Sequence, residues 1–292
     1  KPGGLRQRRG RNRRLHQNPL RPPRPQLKSH NLLAPALAQP FHIIAHRGAS
    51  AYAPENTMAA FRKAADMGAP EVETDVCFTR DEKVLLFHDR TLDRTTDGSG
   101  SPTDYTLAEL KELDAGSWLD PRDHPDFDWA TDYSGERLIT LDELLTEFGE
   151  TFTYHVEIKA GTEGLVDAAI ASIRRHGLVD RVFIAAIDDE ISLARAKQVE
   201  PGIRTALALT RLLEERGLRA IAAAAEAGHD MINLNASNQS VERVDVGHDL
   251  GLEVRSSGIR HRAGMAEAVR IGCNGMTINW PDWLIDHVAK QE

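Results

Sequence analysis

The sequence predicts an α/β protein whose folded part is a (β/α)8 TIM barrel with a short rim hairpin and an insertion, preceded by a disordered N-terminal tail. Three observations lead there. From residue 41 onward, short β-rich runs alternate with helical stretches, the pattern of parallel strands joined by helical crossovers. Nine such runs occur, one more than the eight places of a closed barrel. With 292 residues, 41% of them hydrophobic, the chain can bury one barrel-sized core.

Residues 1–40 contain ten Lys or Arg and no Asp or Glu, are rich in Pro, Gln and Asn, and show no apolar periodicity, so they read as a disordered tail. Within them, 32–38 ends in the small-x-small pattern of a signal-peptidase site but is short and broken by Pro35. If 31–40 is a signal remnant, the protein is exported to the periplasm; otherwise it is cytoplasmic. The first methionine is Met58, so the printed start is not read as the native one. The barrel domain then covers 41–292.

The first strand is 41–46. Asn56 is the expected N-cap of a helix over 57–67, stopped by Gly68. Strands 71–76 and 84–88 are separated by a segment too short for a crossover helix, so they pair as a hairpin at the rim, which accommodates the ninth run. Residues 89–137, with scattered Gly, Ser, Pro, Asp and Trp, form the insertion and carry a helix at 107–113. Strands follow at 153–158, 182–186, 203–209, 231–234, 252–256 and 275–279. Between them, helices are expected over 164–176 (closed by Gly177), 188–199 (stopped by Pro201) and 211–227 (closed by Gly228). Cys77 and Cys273, far apart and in strand sequence, are expected to be buried small hydrophobes rather than a disulfide. No run approaches the roughly 18 to 20 apolar residues of a membrane-spanning helix.

Charge narrows the partners. The formal net charge is -8, and because the tail is wholly basic, residues 41–292 carry 26 basic against 44 acidic groups. Such a body lacks the cationic face that nucleic acid requires. To bind an anionic phosphodiester it needs a cation and local basic groups.

Both are supplied at strand ends. Residues two apart on a strand point the same way, so Glu73 and Asp75 share one face of their strand, and His155, Glu157 and Lys159 share one face of theirs. On one strand alone, such acids read as solvated strand-end charges. Three carboxylates facing one barrel mouth repel unless a cation holds them, and all-oxygen ligation suits a hard divalent ion, Mg2+ or Ca2+, with Mn2+ as a third candidate. His46 and His88 end apolar strands on the face where barrels of this kind keep their chemistry, and two imidazoles there can act as general base and general acid. Arg47 can grip phosphate oxygens through two donors and Lys159 as a point charge, or each can pair with a carboxylate of the cluster.

The series His46-Arg47-Gly48, Pro54-Glu55-Asn56-Thr57, Glu73-x-Asp75, His88-Asp89 and Glu157-Ile158-Lys159 resembles the motifs of the glycerophosphodiester phosphodiesterase family, in order and spacing, from about residue 42 to the end. Leu92-Asp93-Arg94-Thr95-Thr96 and Ile139-Thr140-Leu141-Asp142-Glu143 match its connecting segments. The resemblance implies a barrel that hydrolyses glycerophosphodiesters to an alcohol and glycerol 3-phosphate. It places a divalent metal on Glu73, Asp75 and Glu157, acid-base roles on His46 and His88, and phosphate contacts on Arg47 and Lys159.

The C-terminal half departs from that family. Arg255-Ser256 stands where the family has an aromatic-Thr pair, Ile278-Asn279-Trp280-Pro281 where it has Thr-Asp-x-Pro, and Ala185-Ala186 where it has Ser-Phe. Glu55, His155, Arg255, Asn279 and Trp280 are therefore the candidate pocket residues. Arg255 adds a cation that suits an anionic leaving group or second phosphate, or it pairs with an acid. The expected function is metal-dependent hydrolysis of a small-molecule glycerophosphodiester, with water or the adjacent glycerol hydroxyl as nucleophile. Two alternatives stand beside it: a phospholipase D-like lyase giving a cyclic phosphate, for which the acidic stretch 120–136 lacks an apolar membrane-facing loop, and a non-catalytic phosphate-ligand-binding barrel.

Overall fold

Strands buried on both faces can close only if their outward faces are covered by helices and their inward faces meet at an axis, and the chain alternates the two elements accordingly. The computed structural model describes residues 41–118, 131–210 and 214–290. The elements begin with β1 (His42–His46), α1 (Met58–Asp66), β2 (Glu71–Phe78) and β3 (Val84–Leu86). The insertion carries α2 (Leu107–Leu110) and leads into α3 (Leu141–Phe148). Then come β4 (Thr153–Ile158), α4 (Leu165–Arg175), β5 (Val182–Ile187), α5 (Glu190–Val199), β6 (Arg204–Leu209) and α6 (Glu214–Glu226). The chain continues through β7 (Met231–Asn235), α7 (Val241–Asp249), β8 (Glu253–Ser257), α8 (Arg262–Arg270), β9 (Gly275–Ile278) and α9 (Pro281–Ala289).

The sheet order is β1-β9-β8-β7-β6-β5-β4-β2-β3, and a β1–β2 pairing closes it. Among the described residues eight strands are mutually parallel, and β3 pairs antiparallel with the upper end of β2, Val76 opposite Leu86. This is the barrel and the rim hairpin that the strand pattern predicts. Ile184, Ile232, Leu234, Val254, Met276 and Ile278 pack in the core between strands and helices. Strand alternation therefore turns Ala185, Asn233, Arg255 and Thr277 toward the axis.

Several local expectations change. Thr57 caps α1, its hydroxyl accepting from the Ala60 N–H, whereas Asn56 sits at φ +56 with its side chain inside the barrel. The shorter hydroxyl reaches the helix N-terminus, and Asn56 is freed for a buried role. β3 ends at Leu86, so His88 lies on the loop beyond it. The 107–113 helix is a single turn, and α5 starts at Glu190 with Asp189 as its cap. Cys273 is buried but Cys77 is half-buried, and both are free thiols. Helices α7 and α8 fill gaps between strands where the barrel pattern expects helices without setting their bounds, and α3 and α9 add to them. The basic tail, with its signal-like segment, and most of 120–136 lie outside the described residues. Among the described residues no helix is long and apolar enough to cross a membrane.

Candidate functional site

The register of β2 against β4 pairs Glu73 with His155 and Asp75 with Glu157. One oxygen from each of Glu73, Asp75 and Glu157 lies within 4.8 Å of the others. Burial and the neighbouring charge of Asp75 push Glu73 up to about 8 and Glu157 up to about 7. Burial would raise Asp75 too, but Arg47 and Lys159 hold it well below the usual carboxylate range. Two of the three acids thus resist ionisation as they stand, and a divalent cation would relieve that repulsion. The donor set, oxygen only and convergent, fits a hard ion.

Lys159 Nζ donates to Asp75 Oδ1 at 2.5 Å and to Glu157 Oε1 at 2.8 Å. Arg47 Nε is 3.0 Å from Asp75 Oδ2, and its NH1 donates to Glu55 Oε1 at 2.8 Å. Arg47 holds φ +56 and Gly48 φ +79. A Cβ on Gly48 would lie 2.6 Å from the Ala60 carbonyl carbon, so only glycine lets the loop after β1 pass α1 and turn Arg47 back to the acids.

Glu55 also accepts two hydrogen bonds from Arg94, at 2.9 and 2.7 Å. Arg94 in turn donates to both oxygens of Asp89, at 2.6 and 3.0 Å. Asp89 Oδ1 accepts from His88 Nδ1 at 2.6 Å. A chain of charged hydrogen bonds thus runs from Arg47 through Glu55, Arg94 and Asp89 to His88. It ties the loop after β1 to the loop after β3 and leaves His88 Nε2 outside the chain.

His46 Nδ1 donates to Asn279 Oδ1 at 2.6 Å, and its Nε2 lies 3.7 Å from Glu73. Burial and the Arg47 charge push His46 down to about 4. The imidazole is neutral at pH 7, with the Nε2 lone pair facing the acids. Asn279 therefore orients His46. Trp280, the next residue, stacks on Trp283 with ring centroids 4.6 Å apart.

Beneath the acids lies a buried polar floor. His42 bridges Glu71 (2.7 Å) and Glu253 (2.8 Å). His155, fully buried, donates from Nε2 to Glu71 at 2.6 Å and accepts on Nδ1 from Arg255 at 2.9 Å. Both ring nitrogens of His155 are engaged, so it supports Arg255 instead of offering an atom to a ligand. Arg255 spans from β8 to β4 on the far side of the barrel.

Most residues marked by sequence therefore meet at one mouth: His46, Arg47, Glu55, Glu73, Asp75, Glu157, Lys159 and Asn279. Asn56 and Arg94 were not marked as site residues. Asn56 donates to Asp75 at 3.4 Å and accepts from Thr74 at 2.9 Å. Arg94 joins Glu55 to Asp89. A positive φ is invisible in sequence, and a charge between two acids 39 and five residues away carries no periodic signal.

The model of the glycerophosphoryl diester phosphodiesterase family matches residues 46–282. A glycerophosphodiester phosphodiesterase of Bacillus subtilis (strain 168) is 34% identical over 264 residues, spanning 85% of this chain and 86% of that protein. A second, from Caldanaerobacter subterraneus subsp. tengcongensis, is 31% identical over 252 residues, 85% of this chain and 98% of that one. Among solved structures, an Oleispira antarctica phosphodiesterase in complex with the product sn-glycerol-3-phosphate superposes with a TM-score of 0.73. It is 26% identical, over 85% of this chain and 96% of that one.

Proposed function

The chain belongs to the glycerophosphoryl diester phosphodiesterase family and is a phosphoric diester hydrolase; from that premise we propose that it hydrolyses glycerophosphodiesters to an alcohol and glycerol 3-phosphate with the help of one divalent cation. The observation that carries the metal reading is the convergence of Glu73, Asp75 and Glu157 within 4.8 Å. An ion held by Glu73, Asp75 and Glu157 would supply positive charge that stabilises the negative charge building on the phosphate. Mg2+, Ca2+ and Mn2+ all suit the donors.

The protein groups divide the remaining work. Arg47 and Lys159 bind phosphate oxygens, Arg47 held by Glu55 and Lys159 by Asp75 and Glu157. His46, neutral and with Nε2 open, takes the proton of the attacking oxygen, whether water or the neighbouring glycerol hydroxyl. His88, its Nδ1–H turned to Asp89, presents Nε2 to protonate the departing alkoxide. Asn279 and Asp89 fix which nitrogen of each ring faces the substrate, the task that buried partners perform for catalytic histidines.

The test is release of glycerol 3-phosphate from glycerophosphoethanolamine and glycerophosphoglycerol by the full chain, after EDTA and after added Mg2+, Ca2+ or Mn2+, beside Glu73→Gln. Metal-restored turnover that the substitution abolishes is the expected result. Turnover unaffected by the chelator would overturn the metal assignment, and a cyclic phosphate as the final product would make the enzyme a lyase.

A further inference from the structure

Arg94 ends a short turn, Leu92–Arg94, that the insertion pins in place. Leu92 is fully buried in one cluster with Leu110 and Leu138, and the Thr96 hydroxyl donates to its carbonyl at 2.8 Å. From this fixed backbone the Arg94 side chain forks between two loops. Nε and NH2 donate to Asp89, at 2.6 and 3.0 Å, while NH1 and NH2 donate to Glu55, at 2.9 and 2.7 Å. The Trp118 ring covers the guanidinium face, 5.4 Å from its carbon. All three guanidinium nitrogens already donate to carboxylates, so Arg94 acts on the site through Glu55 and Asp89 and not as a grip on phosphate.

Its NH2 nitrogen sits between two shared oxygens. Asp89 Oδ1 accepts from Arg94 NH2 and from His88 Nδ1, and Glu55 Oε1 accepts from Arg94 NH2 and from Arg47 NH1. His88 needs such a support, because it lies past the end of β3 on a loop and its ring is partly exposed. Among the described residues the Asp89 carboxylate has two side-chain donors, His88 and Arg94. The hydrogen bonds from Arg94, opposed in part by burial and reinforced by His88, hold Asp89 down to about 2, so it stays an acceptor for both. Burial works against the charge of Glu55, yet Arg94 and Arg47 keep it below the usual carboxylate range.

Two carboxylates forked onto one planar cation are fixed relative to each other, since Arg presents its donors in a rigid plane. We propose that Arg94 is a positioning residue for the hydrolysis, aiming the His88 ring through Asp89 and holding Arg47 on the phosphate through Glu55; this rests on the hydrolase reading above, in which His88 protonates the leaving alkoxide and Arg47 binds phosphate. One guanidinium then sets the distance between the group that grips the phosphate and the group that releases the alcohol. Misplacing a catalytic group by a fraction of its reach costs rate without any change in the group itself.

The experiment compares the wild-type chain with Arg94→Gln, Arg94→Lys and Asp89→Asn on two diesters of glycerol 3-phosphate, one releasing ethanolamine and one releasing 4-nitrophenol, beside binding of inorganic phosphate and the melting temperature. An alkoxide needs a proton as it leaves, whereas 4-nitrophenolate is a weak base and departs without one. The phosphate contacts are common to both diesters, so the ratio of their kcat/KM values isolates His88. Arg94→Gln is expected to lose about tenfold or more on the ethanolamine diester beyond its loss on the 4-nitrophenyl one, and to weaken phosphate binding about threefold or more. Asp89→Asn should reproduce the shifted ratio while phosphate binding stays near wild type, and Arg94→Lys, which keeps the charge without the two forks, should show both losses in part. A shifted ratio with unchanged phosphate binding would overturn the hold on Arg47. Equal losses on the two diesters with a lower melting temperature would make Arg94 a structural ion pair, and either no loss in Arg94→Gln or a wild-type Arg94→Lys would overturn the positioning role. If the wild type turns over neither diester, the hydrolase reading fails and the His88 arm with it, while the Arg47 arm stands or falls on whether Arg94→Gln weakens phosphate binding.

Discussion

On the proposed mechanism, replacing His46 or His88 by Ala removes a proton carrier, and with both side chains about one-third exposed little core packing goes with it. Each substitution is expected to lower kcat by a factor on the order of 10² to 10⁴ while the melting temperature stays near wild type; a comparable fall in stability would mark a structural histidine instead. The floor histidines behave differently. His42 is desolvated, which alone would lower it, but hydrogen bonds to Glu253 and Glu71 push it up to about 9. Its stabilising contribution is full below its ordinary value of 6.5 and is lost as pH climbs through about 9. His155 is pushed down to about 4 by burial, so the folded state loses stability as pH falls below 6.5 toward 4. The two arms oppose each other, and urea unfolding across pH is expected to show this pair contributing most near 6.5. His42→Gln should flatten the alkaline arm, and an unchanged alkaline arm would refute the linkage. The acids and His46 at strand ends were legible in sequence because strand alternation marks them, and His88, on the loop after β3, because of its order along the chain. Arg94, Asn56 and the Glu71–His155–Arg255 pairing were not, because which charge meets which is settled across the barrel.

Among the elements, α3 shows how local chemistry sets a boundary. Thr140 accepts from the Glu143 N–H at 3.2 Å, and the Glu143 carboxylate returns a bond to the Thr140 N–H at 2.7 Å. Thr140→Ala is expected to cost about 1 kcal/mol in chemical denaturation with kcat unchanged, because α3 carries no site residue. The loop after β1 is the opposite case. Gly48→Ala forces a Cβ against the Ala60 backbone at a positive φ and displaces Arg47, so both stability and phosphate affinity should fall. A Gly48→Ala protein with normal KM would show that Arg47 is not positioned by this turn. Gly68, Gly177 and Gly228 announced helix ends because glycine adopts positive φ without strain, as each does here. Asn56 misled because two adjacent residues, Asn56 and Thr57, can both cap a helix, and only packing against β2 decides between them.

At the scale of the molecule, closure of β1 onto β2 brings Glu73 beside His46, while β2 on β4 brings Asp75 beside Glu157. The cluster is therefore a property of the closed barrel. A divalent cation that binds only the folded form should raise its stability by about 2.7 kcal/mol at a hundredfold excess over Kd. Calorimetry with and without EDTA checks this, and Glu73→Gln should abolish the gain. Equal melting temperatures with and without metal would remove the cation from this site. The sequence by itself determined the strand and helix alternation, the barrel, the rim hairpin and the identity of the acids, histidines and cations, because period, punctuation and strand-end position are local properties of the chain. Only the tertiary structure decided that His155 is a buried support for Arg255 and that Arg94 links Glu55 to Asp89. These depend on register between strands and on which side chains face each other across the axis, and that is fixed only when the sheet closes.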